Sequence, residues 1–155
     1  MIKFQDLSIK EKKELNKYTH LFKKFLRSGQ FILGKDVEKL ETKIAKQINK
    51  NYAVGVSSGT NALYLALKAI NLKKGDQVLV PCLSWLSTFT TVKVAGGEPV
   101  GIDLKSEGYT LNFKELEKKI NKKTKALIMV HFTGFLEDMN EIKKICKRKK
   151  IFLIE

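Results

Sequence analysis

Cysteine is scarce in this chain. Cys82 and Cys146 are the only two, with neither the spacing of a metal site nor the numbers of a disulfide framework, which fits a reducing compartment. Long apolar runs are missing as well. Stretches such as Ile151-Phe152-Leu153-Ile154 fall far short of the roughly 20 residues a membrane-spanning helix needs, so no span is expected. The opening Met1-Ile2-Lys3-Phe4-Gln5-Asp6 shows no apolar stretch followed by a small-residue cleavage site, and a cytoplasmic location is the expectation. Arginine is nearly absent: of 30 Lys and Arg residues only Arg27 and Arg148 are arginine. No Gly-x-Gly-x-x-Gly follows an apolar run and no Gly-Lys-Ser/Thr ending occurs, which excludes dinucleotide and nucleoside-triphosphate loops. Linkers rich in Pro, Gly or Ser, internal repeats and low-complexity tracts are lacking too, apart from the lysine bias.

What is present is enough for one folded domain or part of one: 155 residues, 43% hydrophobic and 30% charged. The net charge of +14 and pI near 9.7 raise the question of a polyanionic partner. Lysine lacks the planar fork that reads phosphates and bases, and the simpler reading is a lysine-biased surface spread over solvated helix faces. Nucleic acid is therefore not the expected partner, although residues 118–125 and 143–150 carry dense cationic runs.

Periodicity organises the chain. Ser8-Ile9-Lys10-Glu11 reads as a capping box opening a helix with Leu15, Tyr18, Phe22, Phe25 and Leu26 on its apolar stripe, ending near Ser28-Gly29. A second amphipathic helix follows Gly34 with Val37, Leu40, Ile44 and Ile48 on one side. Residues 52–56 read as a β-strand and 60–70, apolar almost all round, as a buried helix. Further strands are expected at 77–80, 99–103, 126–130 and 151–154, with helices at 85–94, after Asn112, and at 139–147. Five apolar strands alternating with helices imply an α/β fold with a mainly parallel sheet covered on both faces.

Such sheets bind ligands beyond the carboxyl ends of their strands. Directly after the first expected strand stands Ser57-Ser58-Gly59-Thr60-Asn61. The first turn of a helix leaves N–H groups unpaired and carries partial positive charge, so this is a candidate anion site, with Gly59 clearing the approach and the Thr60 hydroxyl adding a donor. A plain N-cap reads equally well. Trp85, the only tryptophan, falls past a strand end, where its face could stack on an aromatic ring or simply anchor the next helix. His131, in Val130-His131-Phe132-Thr133-Gly134, is a candidate general base or, more simply, a histidine holding its loop. His20 lies on a helix and carries no role.

Taken together, Phe31-Ile32-Leu33-Gly34-Lys35-Asp36-Val37-Glu38, Val54-Gly55-Val56-Ser57-Ser58-Gly59-Thr60-Asn61-Ala62-Leu63, Gly75-Asp76-Gln77-Val78-Leu79-Val80-Pro81, Trp85, Gly96-Gly97-Glu98-Pro99-Val100, Thr124-Lys125-Ala126 and Val130-His131-Phe132-Thr133-Gly134 resemble the DegT/DnrJ/EryC1/StrS family. The resemblance runs from about Gln30 to Glu155. It implies a truncated aspartate-aminotransferase-like large domain (fold type I) and pyridoxal 5'-phosphate as cofactor. It also implies transfer of an amino group from an amino-acid donor to a nucleotide-linked keto sugar in polysaccharide or glycan synthesis, with a homodimer for the full-length relative. Gly59 and Thr60 match positions that hold the cofactor phosphate, and Trp85 matches the aromatic that stacks on the pyridine ring. Residues 1–34 then form an N-terminal helix and entrance segment and 35–155 the first part of the cofactor-binding domain, with the C-terminal small domain absent.

By the same resemblance the aspartate that pairs with the pyridine nitrogen follows the strand matching 151–155, and the lysine that forms the Schiff base lies further on. No lysine of this sequence matches that position, so no catalytic residue is assigned and the 155-residue chain by itself is expected to be inactive, since aminotransfer needs that lysine as anchor and base. The rival reading is a non-catalytic remnant that dimerises or binds a polyanion. The resemblance also places two strands that bridge residues 52–56 to the rest of the sheet beyond Glu155, leaving backbone groups unpaired. Marginal stability or aggregation is the expected outcome in urea denaturation, and a single steep transition with a normal m-value for the size would contradict it.

Overall fold

The computed structural model describes residues 6–106 and 108–155; Met1–Gln5, which carry most of the N-terminal stretch read above, and Glu107 lie outside the described residues. The chain divides into two compact units, Met1–Gly55 and Val56–Glu155.

The first unit holds helices α1 (Lys12–Ser28) and α2 (Lys35–Gln47). Ser8 does not open α1. Its hydroxyl and N–H both bond the Asp6 carboxylate, so the expected capping box is replaced by a local turn and Glu11 takes the cap position without a side-chain bond. The far end is as expected: Gly29 closes α1 at φ 65°, in the left-handed region that costs glycine little. The Phe25 and Phe31 rings meet edge-on at 5.1 Å across the turn into α2.

Residues 52–56 form no strand. Instead of a ladder partner, the Gly55 N–H donates to the Glu41 side chain at 2.7 Å, which turns the expected five-stranded sheet into a four-stranded one.

The second unit is an α/β sheet. Helix α3 (Gly59–Ala69) leads into β1 (Gln77–Pro81), followed by α4 (Leu86–Val94), β2 (Glu98–Ile102), α5 (Phe113–Lys119), β3 (Thr124–Ile128), α6 (Met139–Lys149) and β4 (Phe152–Ile154). All pairs are parallel, in the order β2-β1-β3-β4. Parallel crossovers are right-handed, so a step from β1 to one side and later steps to the other must place their helices on opposite faces. The core obeys this. Val78, Val80, Ala126 and Ile128 pack with α3 and α4 residues Leu67 and Val92, while Leu79 and Leu127 face Leu116, Ile142 and Ile145 of α5 and α6.

One helix cap matches its sequence signal, and a second, at Asp138, emerges from the structure. Asn112 accepts the Glu115 N–H at 3.2 Å, and Asp138 accepts from Asn140 and Glu141. Helix α3 departs from expectation: only Leu67 is buried, and Leu65 is 49% exposed. One face meets α4 and the sheet, while the residues opposite have no cover among the described residues, so an all-round apolar sequence ends as a half-covered helix.

Backbone parity explains how each edge is treated. The Glu98 N–H donates to Asp76 and the Cys82 N–H to the Ile102 carbonyl, so the even residues of β1 and β2 face each other. Pro99 and Gly101 of edge strand β2 therefore turn their backbone outward, where Pro99 has no N–H to leave unpaired and the Gly101 carbonyl accepts Lys119 Nζ at 2.7 Å. The Gln77 N–H donates toward β3, which points the proline nitrogen of Pro81 the same way. Pairing of β1 with β3 stops at Leu79 and Leu127, and the two strands are released at their carboxyl ends.

Leu127 is fully buried at the centre of the cluster under α5 and α6. Leu127→Ala should cost about 2–5 kcal/mol, read as a lowered urea midpoint with unchanged m-value.

Candidate active site

The site is built at the carboxyl edge of the sheet, where β1 and β3 part. Chain connections leave β1 toward α4 on one face and β3 toward α6 on the other, which makes this the switch point where open parallel sheets take ligands. Helix α3 joins β1 through the short turn at residues 70–76 and so runs antiparallel to it. Its eleven residues rise about 16 Å, close to the length of a five-residue strand, which brings Gly59 back to the carboxyl edge. Helix α4 starts there too, directly after β1, and packs against α3.

At the start of α3 the donors can be accounted for one by one. Ser58 is the N-cap: its hydroxyl accepts the Asn61 N–H at 3.2 Å and its carbonyl the Ala62 N–H at 3.0 Å. Ser57 Oγ in turn accepts from Asn61 Nδ2 at 2.7 Å, bracing the loop across the first turn. The N–H groups of Gly59 and Thr60 have no partner among the described residues, and they point where the helix dipole favours an anion. A Cβ placed on Gly59 meets nothing within 4 Å, and Thr60 is exposed. The residues thus fit a phosphate group: two free backbone donors, a hydroxyl beside them and open space above.

Trp85 caps α4 at the same edge and is 79% exposed. It is not a core residue, and its indole is free for an aromatic ring. His131 and Glu155 form a pair that no motif signalled. His131 Nε2 lies 3.0 Å from Glu155 Oε1, across the ends of β3 and β4, so the histidine holds its loop. The Ser57–Asn61 brace was also missed, although the four-residue spacing of the two polar side chains straddling the helix start was legible as its signal.

A separate cleft of about 730 Å³ opens over the ends of β1 and β2, with Cys82, Asp103, Asn112 and Glu115 in its wall. Gly59, Thr60 and Trp85 do not line it. Partial desolvation, helped by the Asp103 charge, pushes the exposed Cys82 thiol above its ordinary range. The hydrogen bond from Lys119 holds the Glu115 carboxyl below the usual carboxylate range.

The fold is that of a truncated large domain of the fold type I pyridoxal-phosphate enzymes. The chain belongs to the DegT/DnrJ/EryC1/StrS aminotransferase family, whose sequence pattern matches residues 12–155. It is 38% identical over 122 residues to GDP-perosamine synthase of Escherichia coli O157:H7, covering 79% of this chain and 34% of that protein. It is 33% identical over 155 residues to UDP-2-acetamido-2-deoxy-3-oxo-D-glucuronate aminotransferase of Pseudomonas aeruginosa, covering all of this chain and 43% of that one. NtdA of Bacillus subtilis, solved with bound cofactor PMP, superposes with a TM-score of 0.86 at 29% identity, over 92% of this chain and 33% of its own. The chain thus spans well under half the length of the relatives it matches.

Because the Cys82 thiol is raised first by desolvation and then by a neighbouring carboxylate, little thiolate forms at neutral pH. Alkylation of Cys82, followed by peptide mass spectrometry, should still be accelerating above pH 9, and Asp103→Asn should shift that profile to lower pH.

Proposed function

We propose that these 155 residues form the phosphate-holding and ring-facing part of a pyridoxal-phosphate-dependent nucleotide-sugar aminotransferase, which moves an amino group from an amino acid to a keto sugar for glycan synthesis. The observation that carries this is the pair of free N–H groups at Gly59 and Thr60, set at the same sheet edge as the exposed indole of Trp85. The cofactor, when bound, supplies the electron sink that lets an amino group leave one carbon for another. The chain's own part is to hold and to shield. Gly59 N–H, Thr60 N–H and Thr60 Oγ1 bind the phosphate dianion, where charge-assisted bonds are strongest. Trp85 covers one face of the ring and keeps water from it.

In this reading residues 1–34 are an entrance segment and 35–155 the first part of the cofactor domain. The anchoring lysine, the aspartate at the ring nitrogen and the small domain belong to the length of the relatives that this chain does not span, and the complete enzyme is a homodimer. The family and the sugar-aminotransferase relatives support the reaction class. The 155-residue chain assayed alone is expected to show no transamination.

The test uses pyridoxamine phosphate, the amine form of the cofactor, because an aldehyde would react with exposed lysines throughout. Trp85 is the only tryptophan, so its fluorescence reports stacking directly. Saturable quenching is expected, with phosphate-free pyridoxamine much weaker. Thr60→Val should reduce affinity about tenfold or more, as for loss of a hydrogen bond to a charged group. Gly59→Ala, whose added Cβ meets no neighbour in the fold, should weaken binding without unfolding the chain. Unquenched fluorescence at millimolar ligand would overturn the assignment.

A further inference from the structure

The cationic runs left unexplained by the site are not spread evenly over the fold. Each helix of the second unit runs antiparallel to the strands, so helix ends and the turns after them collect at the amino edge of the sheet, opposite the candidate site. Lys73 and Lys74 precede β1, Lys122 and Lys123 precede β3, and Lys149 and Lys150 precede β4. These three strands are neighbours, spaced about 4.8 Å apart, so three lysine pairs form one continuous strip.

The turns are tied to one another. The Gln77 N–H donates to the Lys123 carbonyl at 2.8 Å, and Asn121 Nδ2 donates to Gln77 Oε1 at 2.8 Å. Arg148 bonds Glu117 at 2.7 Å, joining the ends of α6 and α5. The acids at this edge are few, and most are occupied: Glu117 by Arg148, Glu98 by Lys93, and Asp76 Oδ2 by the Lys73 N–H. The carboxyl edge has the opposite character, with Asp103, Glu137, Asp138, Glu141 and Glu155 against Lys105 and Lys114. The unit is electrically polar from end to end.

We propose that the amino edge of the sheet is a docking surface for the phosphate backbone of double-stranded nucleic acid, bound without regard to sequence. Several features choose this occupant. Lysines act as point charges and supply affinity through counterion release instead of base reading. Among the described residues the strip presents no run of open aromatic faces on which successive unpaired bases could stack: Phe152 is half exposed and has Lys125 Nζ 5.7 Å from its ring centre. A duplex therefore suits it better than a single strand, having the higher charge density. An anionic membrane would draw on the same charges, but stable membrane attachment needs a second, apolar signal. Beside the strip stands Phe152, half exposed and partly covered by Lys125, a single ring that is too small an apolar surface to serve as that signal.

The experiment compares the chain with two variants of equal net charge, using fluorescence anisotropy of a labelled random-sequence 20-base-pair duplex across a salt series. One variant carries Lys73→Gln, Lys74→Gln, Lys122→Gln, Lys123→Gln, Lys149→Gln and Lys150→Gln. The other carries Lys12→Gln, Lys13→Gln, Lys17→Gln, Lys23→Gln, Lys24→Gln and Lys43→Gln, all in the first unit. The unmodified chain should bind with a steep negative salt slope. Each phosphate contact contributes about 0.9 to that slope, so the edge variant should lose about 5 from it while the first-unit variant keeps most of its affinity. Equal losses in both variants would show that net charge alone is responsible and overturn the proposal. So would tighter binding to single strands, tighter binding to vesicles containing anionic lipid, or no binding at 50 mM salt.

Discussion

The central strand β1 is bonded on both sides along most of its length, yet its last residue offers no N–H toward β3. Everything proposed for the site depends on that combination. Pairing with β2 and β3 fixes which way each following connection runs, one toward α4 and the other toward α6. Pro81 then ends the ladder on the β3 side, and the connections that follow β1 and β3 diverge from there. The same antiparallel packing of helices on strands returns the start of α3 to this edge. A free pair of amide donors and an exposed indole thus share one end of the sheet, although they are 25 residues apart in sequence.

Much of the second unit was legible because its signals are local or strictly periodic. Asn112 capped its helix, glycines turned the chain before β1 and β2, and apolar runs became strands within one or two residues. The parallel α/β class followed from the alternation of helix and strand. Residues 52–56 were misread for a physical reason: a run with strand composition becomes a strand only if a neighbour supplies its ladder, and Glu41 supplies one side-chain oxygen instead. Ser8 failed as a cap because Asp6, two residues away, competed for its hydrogen bonds. Helix α3 reads as buried because apolar composition reports what a surface needs, not what covers it.

At the site, sequence alone left a helix cap and an anion cradle equally open. The structure shows which residue is the cap. Ser58 does the capping, which leaves Gly59 and Thr60 unengaged, and no pattern of residue types would have divided the work in that way. The pairing of His131 with Glu155 was invisible for a different reason: it joins the ends of two strands 24 residues apart, and only the parallel register brings them together. The segregation of lysines to one end was hidden likewise, since in the linear chain they fall in every segment and only the common direction of the helices gathers them.

The treatment of the outer strand β2 bears on how copies of this chain can meet. With Pro99 lacking a donor and the Gly101 carbonyl already taken by Lys119, that flank is stripped of two of the groups an added strand would need. The opposite flank differs: parity with the Met129 to Ile154 bond turns the N–H and carbonyl of Leu153 away from β3. A strand added to this sheet, from whatever source, is therefore directed to the β4 side.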